Sequence, residues 1–103
     1  MDKLTDLEIC KRIAEIEGLI FCTGNRYFRI EIRKEGKLYK YSQYNPLTDD
    51  ALCFKLMVKY KVWRWSNPTE GKFNACIKNV NGWVSAKTLN RAICTAIIKS
   101  KEQ

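Results

Sequence analysis

Apolar and polar positions follow two different periods along this chain, and each change of period marks an element. Between Leu4 and Gly18 the residues Ile9, Ile13 and Ile16 recur at helical spacing. Thr5 stands at the N-cap position, Glu8 three residues on completes a capping box, and Leu4 is placed to staple onto Ile9. Glu8 and Arg12 form an outward i,i+4 pair, and Gly18 supplies the left-handed residue that ends such a helix. After a short extended piece over Leu19 to Phe21 and a turn signal at Thr23-Gly24-Asn25, the period drops to two. Phe28, Ile30 and Ile32 alternate with Arg29, Glu31 and Arg33, predicting a strand with one wet face. Glu35-Gly36 then turns the chain into Lys37 to Tyr41, which makes a hairpin.

Asn45-Pro46 breaks that strand. Thr48 is a sound N-cap for a second helix, with Asp49 and Asp50 in the first turn where the macrodipole favours negative charge. This helix runs to about Tyr60, with Leu52 and Leu56 on one line, Cys53, Met57 and Tyr60 on the next, and Lys55 and Lys59 outside. Val62 to Ser66 predicts a third strand, Asn67 to Gly71 a loop, and Lys72 to Lys78 a fourth strand with Phe73, Ala75 and Ile77 on one face. Asn79 to Gly82 is turn-forming and leads into a short Trp83-Val84-Ser85. From Thr88 a third helix carries Leu89, Ala92, Ile93, Ala96 and Ile97 on one face, with Lys99 and Lys101 at its dipole-favoured end. The expected order is α-β-β-α-β-β-α: an α+β fold, residues 1–103 forming a single domain in which an antiparallel sheet packs with helices.

Composition narrows the chemistry. A chain of 103 residues with 46% hydrophobic and 12% aromatic content has room for one globular core and lacks the bias of a disordered segment. The polar start Met1-Asp2-Lys3-Leu4-Thr5-Asp6 resembles no signal or transit peptide, so a cytoplasmic location is expected. Cys10, Cys22, Cys53, Cys76 and Cys94 are odd in number and lack CxxC spacing, which predicts reduced structural thiols rather than disulfides or a zinc site. There is no histidine, which removes the commonest general base and metal ligand. No Gly-rich phosphate loop or nucleophile elbow occurs, so no cofactor is implied and binding is favoured over catalysis. The formal charge of +8 favours anionic partners.

Three segments, taken in order, carry a family resemblance. The first is Leu4-Thr5-Asp6-Leu7-Glu8-Ile9 running on to Ala14-Glu15-Ile16-Glu17-Gly18, the second Tyr44-Asn45-Pro46-Leu47-Thr48-Asp49-Asp50-Ala51. The third is Trp83 followed by Leu89-Asn90-Arg91-Ala92-Ile93-Cys94-Thr95-Ala96. Together they resemble NinX-like proteins and the related αβα-sandwich domain proteins of temperate bacteriophages. The matching features are a cap, a turn and core positions, so the resemblance implies a fold and a phage accessory role in an infected bacterium, and no catalytic residues. It does not reach the Tyr27–Tyr41 hairpin or the Trp63/Trp65 strand.

Two stretches are candidate sites. Lys55, Lys59, Tyr60, Lys61, Trp63, Arg64 and Trp65 combine cations that neutralise phosphate with aromatic faces that stack on bases. Trp63 and Trp65 would share one strand face, with Arg64 on the other. The commoner arrangement for such indoles is core packing beneath a helix, with Arg64 at a solvated edge. The hairpin offers Arg26, Arg29, Arg33, Lys34, Lys37 and Lys40 with Tyr39 and Tyr41, a pattern shared with any charged outer sheet face. Asp49, Asp50, Glu8 and Glu15 are accounted for by helix starts and the first helix. The expected function is stoichiometric binding, as an antagonist of host defence that captures a nucleotide signal or a defence-protein face. The alternative is general nucleic-acid binding in phage replication or recombination. A homo-oligomer is compatible with either, because three helices leave part of the sheet uncovered.

Overall fold

Each helix begins where a side chain can satisfy the unpaired amides of its first turn. The computed structural model describes residues 4–24, 27–67, 71–77 and 82–101. The first helix, α1 (Asp6–Ile16), is capped by Thr5, whose Oγ1 accepts from the Glu8 amide at 3.2 Å and donates to Glu8 Oε1 at 3.0 Å. Gly18, at φ +74°, ends it, and the Leu19 amide returns to the Ala14 carbonyl at 2.8 Å. The second helix, α2 (Asp50–Lys59), starts one residue later than expected. Its cap is Asp49, which accepts from the Leu52 amide at 3.2 Å, because the Thr48 hydroxyl is turned back onto the Asn45 carbonyl. The third, α3 (Leu89–Lys101), has the Thr88 hydroxyl under the Arg91 amide at 3.3 Å.

The strands are β1 (Ile20–Gly24), β2 (Tyr27–Lys34), β3 (Lys37–Gln43), β4 (Val62–Asn67), β5 (Lys72–Ile77) and β6 (Val84–Ala86). The α+β class holds, but the two short extended pieces at 19–21 and 83–85 belong to full strands, giving α-β-β-β-α-β-β-β-α. The strands form two antiparallel sheets, β1-β2-β3 and β4-β5-β6, rather than one. The expected hairpin closes through Glu35 (φ 57°) and Gly36 (φ 80°), the pair of positive φ angles that a two-residue hairpin turn needs. The turn expected at Asn25, Arg26, the loop at 68–70 and the segment 78–81 lie outside the described residues.

The core is organised around α3. Residues 92–98 are buried without interruption, so this helix is covered on all sides. One side packs on β4, β5 and β6, where Ala75 and Val84 meet it, and the others pack on α1 and α2. Ile9 and Ile13 of α1 and Cys53 and Leu56 of α2 supply the facing core. The first sheet meets α1, and its Phe21 and Ile30 pack against the buried core cluster. The resulting shape is elongated, 48 × 28 × 23 Å. Among the described residues no helix is long and apolar enough to cross a membrane.

Candidate functional site

Strand β4 separates the two halves of the predicted basic-aromatic stretch. Antiparallel register pairs Val62 with Ile77, Arg64 with Ala75, and Ser66 with Phe73, and residues facing across a ladder share a side of the sheet. Ala75 is fully buried against α3, so Arg64 lies on the helix-covered side. The other side carries Trp63 opposite Cys76 and Trp65 opposite Asn74, which in turn faces Ser85 of β6. The indoles of this outer side are open to solvent, Trp63 65% and Trp65 45% exposed, while Asn74 on the same side is buried. The commoner expectation for these indoles, burial beneath a helix, is therefore corrected. β5 and β6 choose the core side, and the face of β4 that matches theirs is Val62-Arg64-Ser66. Trp83, one residue before β6, falls by alternation on the same outer side and is 63% exposed. Asn74 and Ser85 bond to each other there.

On the opposite side, α2, the first turn of α3 and the edge of the second sheet enclose a groove of about 870 Å³. Its walls are mainly apolar: Leu47, Phe54, Met57, Phe73, Leu89 and Ile93. Arg64 and Lys87 stand at it as cations, and neither has an ion-pair partner among the described residues. Asp50, the acidic group in the wall, accepts from Asn90 Nδ2 at 2.8 Å, and the same amide nitrogen reaches the Leu47 carbonyl at 3.2 Å. Phe54 is 59% exposed although it projects from a core helix, so the groove has an aromatic ring at its lip.

The remaining predicted residues are dispersed. Lys59 is engaged: its ammonium lies 2.5 Å from Glu17 Oε2, which also accepts from the Tyr60 hydroxyl at 2.6 Å. Lys55 is exposed on α2, and Lys61 adopts φ 56° in the turn before β4. Arg33 pairs with Glu31 at 2.9 Å and also donates to the Gly36 carbonyl at 3.3 Å. Arg29 lies mid-β2 opposite Cys22 and Gln43. Tyr39 is 65% exposed on edge strand β3, with the Lys40 ammonium 5.9 Å from its ring centre. The hairpin residues thus sit on the first sheet, apart from Trp63, Arg64 and Trp65.

The thiols behave as packing groups. Cys10, Cys53 and Cys94 are buried, Cys22 and Cys76 half-buried, and all five are free. Burial pushes the Cys10 thiol up to about 11, and the Cys94 thiol, hydrogen-bonded to the Cys53 thiol and buried, is raised as well. Among the described residues no cluster of acidic or thiol groups could hold a metal ion.

Trp83, Phe54 and Lys87 were not among the predicted site residues. One sequence signal points to this half of the molecule. Between residues 51 and 101 there are ten Lys or Arg and one acidic residue, whereas the first fifty residues balance nine against nine. The whole net charge therefore belongs to the half that bears both the groove and the indoles. Comparison with known families, with curated proteins and with solved structures finds no match for this chain.

Proposed function

We propose that this chain is a bacteriophage accessory protein that antagonises host defence by stoichiometric capture of a small anionic ligand of nucleotide type. The reading is carried by the groove: an apolar, aromatic-lipped concavity of about 870 Å³ beside two cations, Arg64 and Lys87, with no ion pair among the described residues. Its size lies within the range of small-ligand sites, and its chemistry divides as a nucleotide's does. Phe54, Met57 and Phe73 offer apolar contact to a base, while a guanidinium and an ammonium attract a phosphate. Asp50, already bonded to Asn90 and sited at the start of α2, is accounted for structurally. The phage setting rests on the three-segment resemblance to NinX-like proteins.

Calorimetric titration with linear and cyclic mono- and dinucleotides tests the proposal. The expected result is saturation at a fixed ratio, ligand recovered intact, and at least roughly tenfold weaker binding in Arg64→Gln, the loss that removing one charge-assisted contact produces. Absence of heat with every nucleotide, or conversion of the ligand to product, defeats it. General nucleic-acid binding is the second reading, favoured by the exposed indoles on the opposite side of the sheet.

A further inference from the structure

The outer face of β4-β5-β6 departs from what an open antiparallel sheet normally presents to water, which is a polar surface. It carries every tryptophan of the chain, 65%, 45% and 63% exposed at Trp63, Trp65 and Trp83. Large side chains of this kind are usually mostly buried, and an exposed cluster of them marks a surface that is covered in use. Strand geometry sets their spacing. Trp63 and Trp65 are two residues apart on one strand, about 7 Å, and Trp83 lies two strands across from Trp63, about 10 Å.

Charge decides what covers the face. None of the three strands contains an aspartate or glutamate. Cations border it: Lys61 precedes β4, and Lys72 lies opposite Asn67 at the far end. A second copy docking by a two-fold axis would lay this cationic face upon itself. A glycan would need several free hydrogen-bonding groups between the rings, and there the Ser85 hydroxyl is already donated to Asn74 Oδ1. A polyanion with exposed planar faces matches both the charge and the rings. In a duplex those faces are stacked away, whereas a single strand presents them.

We infer that the Trp63-Trp65-Trp83 face is a stacking platform for single-stranded nucleic acid, holding about two or three bases on the indoles, as sheet-borne aromatics can, with the backbone drawn to the bordering lysines. The inference stands apart from the groove, which opens on the opposite side of the same sheet.

The full chain contains no other tryptophan, so its indole emission reports on this face alone. It should be titrated with oligo-dT and oligo-rU of about twelve nucleotides, a length within known single-strand site sizes, and with a duplex of equal length. Single strands are expected to quench the emission and the duplex to do so far less. Affinity should fall with salt at about 0.7 log units per log unit for each phosphate contacted. Trp63→Ala and Trp83→Ala should each weaken binding roughly tenfold, the scale of one base-ring stack, with an unchanged melting temperature. Arg64→Gln should leave the quenching in place, so the platform and the groove fail separately. No quenching at low salt, equal affinity for duplex, or tryptophan variants that bind as well as the parent would each overturn the inference. So would an indole-dependent dimer in sedimentation with no strand bound.

Discussion

At the scale of single residues, Glu17 shows how the helical layer is tied together. Its carboxylate closes the end of α1 and takes both the Lys59 ammonium and the Tyr60 hydroxyl from the end of α2. Burial alone would raise its pKa, but those two donors outweigh burial and hold the carboxyl below its ordinary 4.5. The Tyr60 hydroxyl is pushed up to about 12 by burial and by the same bond. Because the folded pKa is depressed, the stabilisation is complete above the unfolded value and is lost as pH falls through the folded one. Denaturant melts should therefore show Glu17→Gln about 1 kcal/mol less stable than the parent at neutral pH. The two should converge as pH falls through the depressed pKa of the parent carboxyl, where it becomes protonated. A constant gap across that range would mean that ionisation contributes nothing. Tyr44 poses the opposite case, a buried ring whose hydroxyl has no partner among the described residues. Tyr44→Phe removes an unsatisfied group and is expected to raise stability by about 1 kcal/mol. A drop in melting temperature would show that the hydroxyl is hydrogen-bonded in the folded protein.

At the scale of elements, the second sheet is asymmetric because α3 covers one of its sides and, among the described residues, no other element covers the second. Ala75 is small enough for close approach of the helix, and its register partner Arg64 is consequently held on the groove side. The energetic consequence can be measured. Ile97, fully buried on α3, should cost about 2–5 kcal/mol when truncated to alanine. Trp65→Ala removes a larger side chain that is nearly half exposed on the open face and should cost less, about 1–2 kcal/mol. That ordering inverts what residue size alone would give, and thermal melts of the two variants decide it. A core-sized loss at Trp65 would place the indole in the interior.

At the scale of the whole molecule, charge and ring distribution are linked. The first half is neutral and holds α1 and the first sheet, while the second half carries all the net charge together with every indole. A cationic field concentrates anions near the exposed rings. Iodide should thus quench the tryptophan emission far more strongly than caesium, and added inert salt should narrow the difference. Equal quenching by the two ions would show that the lysines lie too far from the indoles to matter. The same field increases encounter rates with phosphates at either candidate surface, so low ionic strength should favour both.

Much of the fold follows from local sequence. The Thr5 cap, the Gly18 stop, the Glu35-Gly36 turn and the helical periodicity of α3 are short-range physics, and each appears where the chain specifies it. The second cap moved by one residue because Asn45 captured the Thr48 hydroxyl, a contact within the same loop. What local pattern could not decide was which side of β4 faces the core. Val62-Trp63-Arg64-Trp65 alternates cleanly, and by hydrophobicity its tryptophan side is the one to bury. Pairing with β5 decides otherwise, because a sheet has one core side for all its strands, and Phe73, Ala75 and Val84 had already claimed it. Likewise, the groove gathers Leu47, Phe54, Arg64 and Lys87 from separate elements, and only the packing of α2 and α3 against the sheet brings them to one place.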